Sequence, residues 1–150
     1  MALVLALTGL VWGFQWFAQT VYSITGGEKS LVYQDPGSLL NQVNDEGQPA
    51  IDKVWHIMRK EYPQAKAIEV HIPETDSSSI PANANLDEGT YWQMDYRYFD
   101  QFTFEEYSVD HIYGRLAYAT AADKLMRMNY DIHTGAIIGF PGKLLAFLQV

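Results

Sequence analysis

The chain contains no cysteine. That excludes a disulfide framework, a thiolate metal site and covalent haem attachment through a Cys-x-x-Cys-His motif. Charge is missing from one whole end, since Ala2 to Gly27 holds no Asp, Glu, Lys or Arg. At the other end, Ile137 to Val150 carries only Lys143. Basic residues are scarce in between: Glu28 to Asp123 has 17 acidic against 7 basic side chains. A region of that sign repels phosphate, which argues against a nucleic-acid partner. His-Glu-x-x-His, a phosphate loop, a dinucleotide fingerprint and a Gly-x-Ser-x-Gly elbow are all absent. No catalytic centre or metal cluster is therefore visible in the chain itself.

What is present is an acidic middle between two apolar ends. A helical bilayer crossing needs roughly 20 consecutive apolar residues, and ALVLALTGLVWGFQWFAQTVY supplies such a run. The pattern predicts a partial transmembrane helix over residues 1–27, an extramembrane domain over 28–131 and the start of the next transmembrane helix over 132–150. Trp12, Trp16 and Tyr22 lie towards the polar end of the first run, where amphipathic rings settle at a headgroup boundary. Gly9 and Gly13 stand four apart and permit close helix approach. A signal peptide is the weaker reading, because no basic n-region follows Met1; a buried core helix remains open. The scarcity of Lys and Arg beside the first apolar run tilts the middle domain away from the cytoplasm.

Within the middle, residues 28–48 read as irregular, with turn chemistry at Gly26-Gly27, Asp35-Pro36-Gly37 and Asn44 to Gly47. Pro49 suits a first helical position, and Ile51, Val54, Trp55, Met58 and Tyr62 recur at helical spacing before Pro63 stops the run. Ile68, Val70 and Ile72 alternate with Ala67, Glu69 and His71, as in a half-buried strand. A second extended piece covers Ile80 to Asn85. A third strand sets Trp92, Met94, Tyr96 and Tyr98 on one face, read as sheet core, and Gln93, Asp95 and Arg97 on the other. A fourth is expected from Phe102 to Val109, then a helix from Arg115 to Arg127 and a polar turn from Asn129 to Gly135. This is an α+β fold, one helix on a small antiparallel sheet, flanked by partial transmembrane helices.

Among residues that carry chemistry, Asp131-Ile132-His133-Thr134-Gly135 stands just before the second apolar run. A histidine at a membrane boundary ligates haem iron through a neutral ring nitrogen. Gly135, Gly139 and Gly142 would let a flat macrocycle or another helix come close. The competing reading has His133 cap a helix end or hydrogen-bond a neighbour, with Asp131 or Thr134 as an N-cap. Asp110-His111 has the composition of a dyad, but neighbours in a strand point to opposite faces, so a structural turn is expected. His56 and His71 fall on polar flanks and read as surface residues.

Several stretches together resemble one family. TGLVWGFQWF, TYWQMDYRYFDQFTFEE and RMNYDIHTGAIIGFPGK resemble the PepSY-associated transmembrane proteins of bacteria. In PepSY domains a helix precedes an antiparallel sheet, and a strand ends in a segment like Asp-x-x-Thr-Gly-Glu. Asp100, Thr103 and Glu105 match it, with Phe104 where glycine is usual. The resemblance implies a bacterial inner-membrane protein whose PepSY domain faces the periplasm. Some relatives are haem-containing reductases linked to iron uptake and ferric siderophores. The resemblance then makes His133 a haem b ligand in the intact parent, with the second ligand on other transmembrane helices and no cofactor in the isolated domain. PepSY domains elsewhere resemble protease-inhibitory segments, which implies a non-enzymatic peptide- or protease-binding module as the alternative, or a structural scaffold of a membrane complex.

Overall fold

A computed structural model describes residues 2–38 and 49–148. The turn expected at Asn44 to Gly47 lies outside the described residues.

The first apolar run is not one helix. It forms α1 (Ala2–Gly13) and α2 (Gln15–Ile24), bent by 108° at Phe14. Gly13 is a poor helix former, and Phe14 drops into extended backbone (φ −136, ψ 107). The bend lets α1 lean on the last turns of α4 (Ala121–His133) while α2 reaches its first turn. Among the described residues no single helix is long and apolar enough to cross a membrane; only the bent pair reaches that length and composition together. Much of its surface stays bare, with Leu3 71% and Trp16 65% exposed. In the second apolar run a short 3-10 turn (Ala136–Ile138) leads into α5 (Phe140–Phe147), where Phe140 and Phe147 are also exposed.

The middle follows the expected order. Helix α3 (Ala50–Glu61) starts after Pro49 and stops before Pro63, with Asp52 favouring its positive end and Arg59 and Lys60 its negative end. Strands β1 (Ala67–Val70), β2 (Ile80–Asn85), β3 (Asp95–Phe99) and β4 (Glu106–Tyr107) pair antiparallel in that order. Val54 and Met58 of α3 pack on Ile80, Ala82, Ala84 and Phe99, all but sealed from solvent. Trp55, assigned to that face by spacing, is instead 40% exposed, and Ile72 lies beyond β1 with 77% of its surface bare.

Register bears out the split between the tyrosines and Arg97 and shows which side meets α3. Ala82 pairs with Arg97 and Asn83 with Tyr96, so Arg97 shares the α3 face while Tyr96 and Tyr98 point to the other. There Tyr98 meets Tyr33 and His111, and Tyr96 meets Tyr113, a second aromatic layer that buries the sheet from behind. On the α3 face Arg97 is buried and forms ion pairs with Glu61 and Glu106, both at 2.6 Å, and Arg115 also pairs with Glu106. Burial alone would raise the Glu106 carboxyl, but the hydrogen bonds and charges of Arg115 and Arg97 hold it below its ordinary range.

Three further boundaries move, each for a local reason. Strand β3 begins at Asp95 rather than Trp92, because the amides of Tyr91 and Trp92 donate to the Asp131 carboxylate instead of a ladder partner. Strand β4 shrinks to two residues because the chain turns first: Asp100 Oδ1 accepts from the amides of Phe102 and Thr103, and Phe104 takes a left-handed φ of +61. This is the position where the Asp-x-x-Thr-Gly-Glu pattern has glycine, and left-handed backbone is what glycine permits. Finally, α4 starts after Thr120 and continues through His133, so the expected polar turn at Asn129 to Gly135 is mostly helix. Thr120 and Asp123 close a capping box there. Burial would raise Asp123, yet hydrogen bonds from Tyr22 and the Thr120 amide, with the Lys29 ammonium at 3.1 Å, hold its carboxyl low.

Candidate functional site around His133

Helix α4 places its polar residues one turn apart on the side facing α1. Asn129 donates from Nδ2 to the Thr8 carbonyl at 3.1 Å, and His133, one turn on, sets Nδ1 2.8 Å from Thr8 Oγ1. Thr8 is buried despite lying in an apolar helix. The Trp12 ring packs 4.9 Å from the His133 ring, and Tyr130 lies 5.8 Å from Trp12. His133 therefore sits in a slot made by Thr8, Gly9 and Trp12 of α1, partly exposed, at the seam between the apolar helices and the sheet domain.

Neither N-cap assignment for this segment survives. Asp131 lies inside α4, fully buried, and its carboxylate accepts the Tyr91 amide at 3.0 Å and the Trp92 amide at 2.8 Å. Thr134 follows the helix as its C-terminal cap. The glycines are used inside the chain. A Cβ on Gly135 would stand 2.2 Å from the Gly142 oxygen, and one on Gly142 would stand 2.1 Å from the Gly135 oxygen. The end of α4 and the start of α5 thus touch backbone to backbone.

His111 is a structural residue, as its turn context predicted, but a buried one. Its Nε2 donates to the Gln34 carbonyl at 3.1 Å and its Nδ1 accepts the Tyr113 amide at 3.1 Å. Neither nitrogen engages Asp110, whose carbonyl binds the Ser30 amide. Desolvation lowers the His111 pKa; Asp35 and Asp110 pull it up and Lys29 pulls it down, and the net shift is downward. The unfolded chain protonates this ring below about pH 6.5, whereas in the fold protonation waits for a lower pH. Stability is hence complete above that pH and falls as the pH drops towards the folded value. Thermal unfolding followed against pH is expected to show this loss in the wild type and a flatter profile in His111→Gln; equal profiles would disprove it. His56 and His71 are exposed, with His71 beside Glu69 at 3.7 Å.

Among the described residues no three His, Cys, Asp or Glu side chains gather as a metal site would require. A cofactor held at His133 would therefore take one ligand from it. Sequence reading missed Thr8 and Asp131 as partners; a lone threonine in an apolar helix, seventh in the run, was the available signal for Thr8.

No curated protein sequence matches the chain. The family described as the PepSY-associated TM region matches residues 1–149, nearly the whole chain. With a small helix-on-sheet domain set between apolar helical segments, the chain belongs to the PepSY-associated TM family.

Proposed function

We propose that this membrane-associated chain is the periplasmic PepSY domain of a bacterial inner-membrane protein, and that His133 is one axial ligand to a b-type haem in the intact parent. The parent would then serve iron- or ferric-siderophore-linked electron transfer. The observation that carries the reading is His133 itself: one ring nitrogen is taken by Thr8, while no described residue engages Nε2. A ligating imidazole is held in this way, through its other nitrogen. The fit extends to one ligand only, because His56, His71 and His111, the other three histidines, lie in the middle domain and α1 and α2 contain none. The second would come from another helix of the parent. Bound haem supplies one-electron chemistry; the chain's own share is to fix the ring and to cover it with Trp12.

Membrane placement agrees with the apolar surface left bare on α1, α2 and α5, which water would not tolerate over such an area. The domain is acidic, which suits reception of a cationic or metal-loaded substrate.

One observation favours peptide binding as a second reading. A cavity of 340 Å³ on the sheet face away from α3 is lined by Tyr96, Tyr98, Tyr118, His111, Lys29 and Arg115. Aromatic-lined grooves take extended peptides, and the lining includes Glu106 and Tyr107 of β4, the edge strand on that side of the sheet.

The deciding measurement is the absorbance spectrum of the purified full-length parent, oxidised and reduced, beside His133→Ala. A b-type spectrum that weakens or shifts in the variant is the expected result. No haem in either protein would defeat the haem reading and leave the peptide-binding one.

A further inference from the structure

Counting protons around Thr8 fixes the state of His133. Thr8 Oγ1 lies 2.7 Å from the Val4 carbonyl oxygen, 3.3 Å from that of Leu5 and 2.8 Å from His133 Nδ1. A hydroxyl has one hydrogen and two lone pairs. Two oxygens at 2.7 Å need a proton between them, so the hydroxyl hydrogen goes back one turn to Val4. Oγ1 then offers His133 only a lone pair, and Nδ1 must carry the hydrogen that fills the gap. In the neutral ring the remaining nitrogen, Nε2, is left as the acceptor.

Thr8 is itself held. It is buried, its carbonyl accepts Asn129 Nδ2 from the turn of α4 preceding His133, and Trp12 closes on the ring from one turn further along α1. Both contacts join the same two helices, so the ring has little freedom to rotate away.

We propose that Thr8 is a positioning residue that locks His133 in its Nδ1–H tautomer and thereby makes Nε2 the ligating atom. The assignment rests on the haem reading for its use, but not for its geometry. A hydrogen bond from the far nitrogen also raises the basicity of a ligating imidazole, and losing such a partner typically weakens binding about 10–100-fold.

The test uses the full chain in detergent micelles with ¹⁵N-labelled histidine, as wild type, Thr8→Val and Thr8→Ser. Long-range ¹H–¹⁵N spectra above the titration range read the His133 tautomer with no haem present. The wild type and Thr8→Ser are expected to show Nδ1–H, and Thr8→Val, which keeps the shape and removes the acceptor, a shift to Nε2–H. A wild type already in the Nε2–H form, or a Thr8→Val spectrum like the wild type, would overturn the proposal whatever haem does. Haemin titrated into the same samples, with His133→Ala beside them, then separates the two claims. Binding about 10–100-fold weaker in Thr8→Val, restored in Thr8→Ser, supports the proposal. Equal haemin binding by wild type and His133→Ala defeats the haem reading and leaves the tautomer result standing. Should Thr8→Val not fold, the Thr8→Ser and wild-type spectra still decide, because the serine must preserve the tautomer.

Discussion

Asp131→Ala is expected to lower the unfolding free energy by about 3–5 kcal/mol, the largest single loss in the sheet domain. The wild-type carboxylate is fully buried and receives two backbone amides, from Tyr91 and Trp92. Alanine leaves both donors facing a small void that nothing nearby refills. A stranded buried amide costs about 1–3 kcal/mol, more where the lost acceptor carried charge. The void adds its own term. Asp131→Asn keeps one acceptor oxygen but brings an NH₂ group towards two N–H donors, so it should fall between alanine and wild type. The damage is predicted to spread along a specific path. Tyr91 stacks edge-on against Tyr130, which stacks on Trp12 over His133, so freeing the 91–92 turn should also loosen the His133 slot. Chemical denaturation checks the magnitude, and Trp12-centred fluorescence in a chain with the other tryptophans replaced checks the path. A loss below about 1 kcal/mol would mean that Asp131 is not the anchor of that turn.

What the sequence made legible was local chemistry. Helix α3 could be bounded because Pro49 and Pro63 act within a residue or two of themselves. Strand β2 and the order of the meander followed from turn residues between apolar runs. The misplacements all have a long-range cause. Trp92 to Met94 read as strand, but a carboxylate about 40 residues away takes the Tyr91 and Trp92 amides, and the Met94 amide closes a turn onto the Tyr91 carbonyl. Tyr96 and Tyr98 were legible as sharing a face opposite Arg97, but alternation says which residues share a face and not which face meets the helix. The bend at Phe14 depends on two contacts with α4, Thr8 with His133 and Tyr22 with Asp123, separated from it by more than 100 residues. Hydropathy alone sees one uninterrupted apolar run from Ala2 to Tyr22 there.

Phe104 shows the converse, a sequence departure that the fold explains. The hairpin needs left-handed backbone at 104, and phenylalanine is there at a cost of order 1 kcal/mol. Its ring packs against the α3 core and lies under the Lys53 ammonium at 4.9 Å. Burial of an aromatic ring offsets a strain of that size.

For the candidate site, His133 was legible as a residue and its use of the two nitrogens was not. Gly135 and Gly142 were legible as small residues that let a macrocycle or another helix approach, and the helix they admit is α5 against the end of α4.

That contact gives the second large effect. Gly142→Ala is expected to separate α5 from the end of α4, at a cost of about 3 kcal/mol or more. The new methyl would stand 2.1 Å from the Gly135 carbonyl oxygen and 2.3 Å from an Ile138 side-chain carbon. The side chain can move aside, but the carbonyl belongs to a turn already fixed by the Ile138 amide, which donates to it at 3.3 Å. Overpacking usually costs about 1–3 kcal/mol where a side chain can yield, and here backbone must move. Gly135→Ala meets the same wall from the other side, with its Cβ 2.2 Å from the Gly142 oxygen and a left-handed φ of +72 that alanine disfavours. It should therefore be the worse of the two. Because both substitutions break one contact, the double variant is expected to cost little more than Gly135→Ala alone. Hydrogen exchange across Phe140 to Phe147 in the micelle-bound chain reads the detachment directly. Protection lost there while α3 and the sheet keep theirs is the expected pattern; unchanged protection in both variants would show that the two glycines are not in contact.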